Sequence, residues 1–332
     1  MFDVRCKKYD VIQKQWEWNQ VFLQHYTSNI VHRAYFWLMK KAFLQLHIAV
    51  VLAGFTAILG KLINLNEGIL VWYRMLFSAA ALGLILFFRK EFTSLSLTNT
   101  IKLFGVGAIV ALHWVSFYGS IKYSNVSVSV TCLSAIGFFT SFLEPIIMRR
   151  RIDIVEVLLG MLAIIGIYLI FNFYPEYKTG IIFGIISALF ACLFPIFNKS
   201  LLREFSAKIV TLYEMTGGFI ALCFIIPFYL HFFPASYFIP TAADFFWLLI
   251  LSLFCTVFAF ILSLNALKYI SAFTVNLTYN FEPVYSIILA FIIFKENKFL
   301  GRGFYFGFGL ILLAISLQMA RVWKERKLPK KT

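Results

Sequence analysis

Residues 121–130 read IKYSNVSVSV, and residues 267–276 read LKYISAFTVN. The two stretches lie 146 positions apart, and the same offset carries the basic turn Arg149-Arg150-Arg151 onto Lys295-Glu296-Asn297. Earlier in the chain, WYRM at 72–75 corresponds to LYEM at 212–215 with an offset of 140, and Lys61 to Lys199 with an offset of 138. Self-similarity at a nearly steady offset marks an internal duplication, so the chain reads as two related halves.

What surrounds those halves follows from composition. Of the 332 residues, 61% are hydrophobic and 14% charged, whereas soluble domains carry about 25% charged residues. Too little charge is present to clothe a surface in water, which excludes a soluble enzyme, a disordered chain and a disulfide scaffold. Hydropathy and breaker residues divide the chain into ten apolar segments near 43–63, 69–88, 101–120, 126–147, 154–173, 180–198, 209–232, 244–266, 272–294 and 299–319. Each is close to the roughly 20 apolar residues that cross a bilayer, and the loops between them are too short for a soluble domain. The fold class expected is an all-α membrane protein: ten transmembrane helices as two inverted five-helix repeats, 43–173 and 180–319. Inversion follows from the odd number of spans per half, because the second half must enter the membrane upside down.

The net charge of +15 does not point to nucleic acid. With both termini placed in the cytoplasm, most of the 30 Lys and Arg fall in the N-terminal tail, at 89–102, 149–151 and 199–208, and in the basic tail 320–332. That bias is what the positive-inside rule asks of a multi-pass protein of the cell membrane. Residues 1–38 mix charge, amides and aromatics without an apolar stripe. They read as a tail, and Met39-Lys40-Lys41 before the first span is the expected native start. Five cysteines, four of them inside apolar runs, have neither disulfide nor metal-ligand spacing. No nucleotide-binding glycine loop or metal cluster is present in the sequence, so no cofactor is expected.

Polar residues inside spans cost roughly 2.5–3.5 kcal/mol each at the centre of a helix and need a reason. Glu282 is the deepest acid, roughly 15 Å into its span, and Asn276, Tyr279 and Asn280 lie beside it at helical spacing. Arg74 and Glu214 stand at matching repeat positions. Arg74 suits a substrate carboxylate, which a guanidinium binds through two parallel bonds, with Glu214 as its ammonium or proton counterpart; both could instead snorkel to the interface. His113-Trp114 lies in the third span and reads as packing or as a proton relay, and Asn265 is a similar buried amide. Gly137 and Pro283 correspond at the offset of 146, which places helix-weakening residues in the middle of the fourth and ninth spans. GxxxG spacings at Gly180–Gly184 and Gly303–Gly307 permit close helix approach, within the chain or with a second copy in a homodimer. Strings such as Asn125-Val126-Ser127 match the glycosylation pattern but lie at spans, where chance explains them.

The two five-span halves, Arg74 in the second span, KYSNVSVSV, and the stretch KYISAFTVNLTYNFEPVYSIILAFIIFKE from Lys268 to Glu296 resemble the EamA-type branch of the drug/metabolite transporter superfamily. The resemblance covers about residues 43–320, and the first half departs from it where Arg149-Arg150-Arg151 replaces the usual acidic residue. It implies a ten-helix secondary transporter, often an exporter of amino acids or related small metabolites. The expected partners are therefore a small-molecule metabolite and the lipid bilayer. The alternatives weighed are a membrane enzyme acting on lipid-linked substrates, whose reactive groups should gather at one membrane face, and a non-transporting sensor.

Overall fold

A computed structural model of the chain describes residues 37–270, 272–279 and 281–327. Every regular element among them is helical, as a bilayer core demands of a chain that does not close into a barrel. Among the described residues, nine helical stretches are long and apolar enough to cross a membrane. They are α1 (Trp37–Leu62), α2 (Glu67–Phe88), α3 (Leu97–Tyr123), the pair α4 (Val126–Cys132) and α5 (Ala135–Ile147), α6 (Ile154–Phe173), α7 (Lys178–Leu201), α8 (Ala207–Phe232), the run α9 (Ala242–Ser252), π turn (Leu253–Phe258) and α10 (Ala259–Tyr269), and α13 (Arg302–Lys327). The expected ninth span is described in two pieces, α11 (Ala272–Tyr279) and α12 (Glu282–Phe294), on either side of residue 280, which lies outside the described residues. Pro283, in the first turn of α12, has no N–H to extend a ladder from α11. The expected tail falls almost wholly outside the described residues.

The two halves share landmarks. The junction of α4 and α5, at Leu133-Ser134, has its counterpart 146 positions on at Tyr279, the last residue of α11, and the position after it. Arg149 and Lys295, also 146 apart, both turn the chain through the left-handed region, with φ of 52° and 55°, the conformation that ends many helices.

Caps account for most helix starts. Asn125 accepts from Val128 N at 2.9 Å, which gives the Asn-Val-Ser string a structural use at the head of α4. Thr241 and Asp244 form a capping box on α9. Helix approach uses glycine where the sequence marked it: Gly180 lies against Ser124, Gly184 against Cys132, and Gly307 against the Gly166 backbone, so these partners are within the chain. Large side chains such as Phe88, Phe224 and Phe228 lie exposed on the outer surface, where lipid is their natural solvent.

One end of the bundle is tied across elements. The Glu296 carboxylate, 4% exposed, accepts from Val126 N at 3.2 Å, Ser127 N at 2.9 Å and Ser127 Oγ at 2.7 Å. It also pairs with Lys61 Nζ at 2.7 Å. A carboxylate at the head of α4 satisfies free backbone N–H groups and meets the positive end of the helix dipole. Beside it, Asp244 accepts from Asn64 N at 2.8 Å and Tyr229 donates to Glu67 at 2.5 Å. At the opposite end the position equivalent to Glu296 is Arg150, which is exposed. There Lys199 instead binds the carbonyls of Leu267 and Ile270.

Candidate functional site

An unusual turn in α9–α10 prepares the site. Over Leu253–Phe258 the backbone bonds run i to i+5, and Thr256 Oγ1 donates to Leu251 O at 2.8 Å, five residues back. Such a turn widens the helix, directs backbone oxygens outward and recurs at functional sites. Here it faces α2, where Ser78 Oγ meets Ser252 O at 3.2 Å.

Arg74 occupies the space opposite. It is 2% exposed and donates from Nε to Thr256 Oγ1 at 2.7 Å, from Nη1 to Tyr118 Oη at 2.8 Å, and from Nη2 to Cys255 O at 3.4 Å. Its guanidinium carbon lies 3.5 Å from the centroid of the Trp114 ring, close enough for a cation–π contact. All of these acceptors are neutral, and none of the ion pairs among the described residues includes Arg74. Of its five N–H groups, two have no acceptor among those residues.

Arg74 lines a cavity between the halves with about 80 Å³ available to water-molecule centres, room for on the order of half a dozen waters. Glu282 and Tyr279 enter it from α12 and α11, and Trp114, Phe117, Phe194 and Phe260 supply aromatic walls. Toward one end the lining reaches Leu267, in the last turn of α10, and Val275, in the first turn of α11. Toward the Glu296 end, its α1 lining stops at Thr56, roughly 9 Å of helix short of Leu62. The lining thus includes residues close to the end where Lys199 binds the α10 carbonyls.

Of the residues singled out from the sequence, Arg74, His113, Trp114, Tyr279 and Glu282 meet at this cavity. Glu214 does not line it. It is fully buried on α8, where its backbone carbonyl packs against Gly107 of α3 and its side chain faces Asn198 of α7. Asn265, half-buried on α10, is also absent from the lining. Asn280 and the side chain of Asn276 lie outside the described residues. Of the residues that position Arg74, Tyr118 stands near His113 in the sequence reading and Cys255 reads there as a core cysteine, while Thr256, like Thr56 in the lining, was not singled out. No group of three or more His, Cys, Asp and Glu that could hold a metal ion occurs among the described residues.

Similarity to known proteins agrees with this architecture. The family model described as the EamA-like transporter family matches residues 40–172 and 178–319. A relative from Archaeoglobus fulgidus, named an uncharacterized transporter, is 24% identical over 223 residues, covering 67% of this chain and 76% of its own. Another uncharacterized transporter, from Haemophilus influenzae, is 25% identical over 167 residues, 47% of this chain and 54% of its own. A protein of known crystal structure has a similar fold, with a TM-score of 0.57 and 14% identity over 83% of this chain and 96% of its own.

Proposed function

The chain belongs to the EamA-like transporter family and is a multi-pass membrane transporter, and from that premise we propose that it carries a small amphipathic metabolite bearing a carboxylate. An amino acid or a related compound has the right chemistry. The observation that carries the reading is Arg74: a buried cation whose hydrogen-bond acceptors are all neutral, with two N–H groups uncommitted at the wall of a cavity it shares with Glu282. A carboxylate there would supply the missing charge and take paired, charge-assisted bonds. The aromatic walls suit the apolar part of such a molecule.

The carrier works by alternating access between two inverted five-helix halves, with 272–294 as the ninth of ten crossings. Support comes from the shared landmarks of the halves and from irregular helix at the cavity, the π turn of Leu253–Phe258 and Pro283 in the first turn of α12. The basic end, near which the lining includes Leu267 and Val275, is the one the positive-inside rule assigns to the cytoplasm together with both termini. Export across the cell membrane in exchange for a proton, carried by the Glu282 carboxyl, completes the reading.

Counterflow in proteoliposomes with a panel of L-amino acids, with and without an imposed pH gradient, tests it. The expected result is flux of amphipathic carboxylates that Arg74→Ala and Glu282→Gln each abolish, with the gradient raising flux in the wild type. Wild-type flux in both variants would remove these residues from the cargo site.

A further inference from the structure

His113 and Ser187 clasp each other across α3 and α7. His113 Nδ1 lies 3.0 Å from Ser187 O and 2.8 Å from Ser187 Oγ, and Ser187 Oγ donates to His113 O at 3.1 Å. A backbone carbonyl only accepts, so the hydrogen must be on Nδ1. The Ser187 hydroxyl hydrogen is already committed to His113 O, so Ser187 Oγ also accepts from Nδ1. Nε2 is then the free ring nitrogen: it has no partner among the described residues, and its ring lines the cavity with Phe117 and Phe194, 6.2 and 5.9 Å away between centroids. A hydrogen on Nε2 as well would make the ring a second cation in the cavity that holds Arg74, and no carboxylate pairs with His113 among the described residues.

We propose that His113 Nε2 is a fixed hydrogen-bond acceptor that selects the cargo, which therefore carries a donor, an ammonium or a hydroxyl, in addition to its carboxylate. This rests on the carrier reading above and narrows it. Arg74 offers only donors and holds the acid; His113, held in one tautomer from behind, offers only a lone pair and accepts the donor. A molecule with the acid alone leaves Nε2 desolvated and unpaired, and a site built to hydrogen-bond a group rejects analogues that lack it.

The test has two arms. In the first, nitrogen NMR of protein with ring-labelled histidine in lipid bilayers reads the tautomer, and the His113 signal is identified among the five histidines by its loss in His113→Gln. The expected state is hydrogen on Nδ1 and a bare Nε2. In the second, counterflow compares L-phenylalanine, phenyllactate, in which a hydroxyl replaces the amine, and 3-phenylpropanoate, which has neither. Wild type should carry one or both of the first two in preference to the third. His113→Asn, whose amide N–H can reach Ser187 O but which has nothing at the Nε2 position, should lower that preference about tenfold, the loss of one hydrogen bond to a charged or strongly polar group. His113→Gln, with an amide oxygen near the Nε2 position, should restore part of it. A hydrogen on Nε2, or equal flux of all three acids in the wild type, or an unchanged preference in His113→Asn, overturns this inference alone. Absence of flux for all three in the wild type overturns the carrier reading and the cargo donor with it.

Discussion

Arg74 donates to a threonine, a tyrosine and a backbone carbonyl and stacks on a tryptophan, an arrangement that depends on a flat, forked cation. Lysine carries the same charge as a compact point and cannot serve three separated acceptors or stack in this way. Arg74→Lys should therefore lower cargo flux at least about tenfold and destabilise the fold by about 1–2 kcal/mol, the net worth of one or two hydrogen bonds. Counterflow and thermal unfolding in detergent read the two effects, and full flux with a lowered melting temperature would assign Arg74 a purely structural part. Arg74, His113, Trp114 and Glu282 were legible in the sequence because polar or ionisable groups stand out in apolar runs and demand a reason. The partners of Arg74 were not. Hydroxyls such as Thr256 ordinarily bond a carbonyl of their own helix, as Thr256 does at Leu251 O, and nothing in residue spacing shows that its lone pair also meets Arg74 at the π turn. Glu214 shows the opposite error of scale: repeat position paired it with Arg74, but a repeat match fixes a place in a helix, not the wall of a cavity.

Between elements, the Glu296 carboxylate ties α1, α4 and the end of α12 together, and its partners are unequal. Its own side chain is 5% exposed, while that of Lys61 is 35% exposed. Exposed ion pairs contribute at most about 1 kcal/mol, whereas a buried carboxylate with three further donors is worth more. Glu296→Ala should cost about 2–3 kcal/mol by thermal or denaturant unfolding, and Lys61→Ala under about 1 kcal/mol; the reverse order would place the energy in the ion pair instead of the helix cap. A second tie, outside the spans, joins the start of α6 to the end of α13: Arg321 donates to Asp153, which also accepts from Val155 N at 2.9 Å. The hydrogen bond from Arg321, aided by the Val155 amide, holds the Asp153 carboxyl below the usual carboxylate range. A depressed acid stabilises the fold above its unfolded value of about 3.9 and loses that contribution as pH falls through the lower folded value. Wild type should therefore melt higher than Asp153→Asn at neutral pH, and the difference should vanish in acid; a gap constant with pH would mean the carboxylate charge is not involved. Caps such as Asn125 and Asp153 lie a few residues from what they serve and can be read locally. Glu296 reaches Ser127 across 169 positions, and in the sequence it was only one acid in a basic turn.

For the whole molecule the decisive matter is the sense of the two halves in the membrane. Length and hydropathy made the helical bundle legible, and the offset of 146 made the duplication legible, since it recovers the left-handed turns at Arg149 and Lys295 and matches the junction of α4 and α5 with the end of α11 at Tyr279. Orientation is different in kind: periodicity shows that two segments are alike but says nothing of the face on which each begins, so inversion rests on counting an odd number of crossings. That count depends on α4 and α5 together making one passage, because an extra or missing crossing there would turn the second half over. Equivalent loops of the halves provide the measurement. Ser94 lies in the turn between the second and third crossings of the first half, and Ser236 in the turn between the second and third crossings of the second; both are exposed. In a cysteine-free background, Ser94→Cys and Ser236→Cys should react with a membrane-impermeant maleimide from opposite faces of intact cells or oriented vesicles. Glu204→Cys should report the same face as Ser94→Cys, and Glu176→Cys the face of Ser236→Cys, since one helix separates 176 from 204 and another separates 204 from 236. Labelling of 94 and 236 from one face would make the halves parallel. The cavity could then not exchange its open end by trading the shapes of two inverted units, and Arg74 and Glu282 would have to be reached by some other motion.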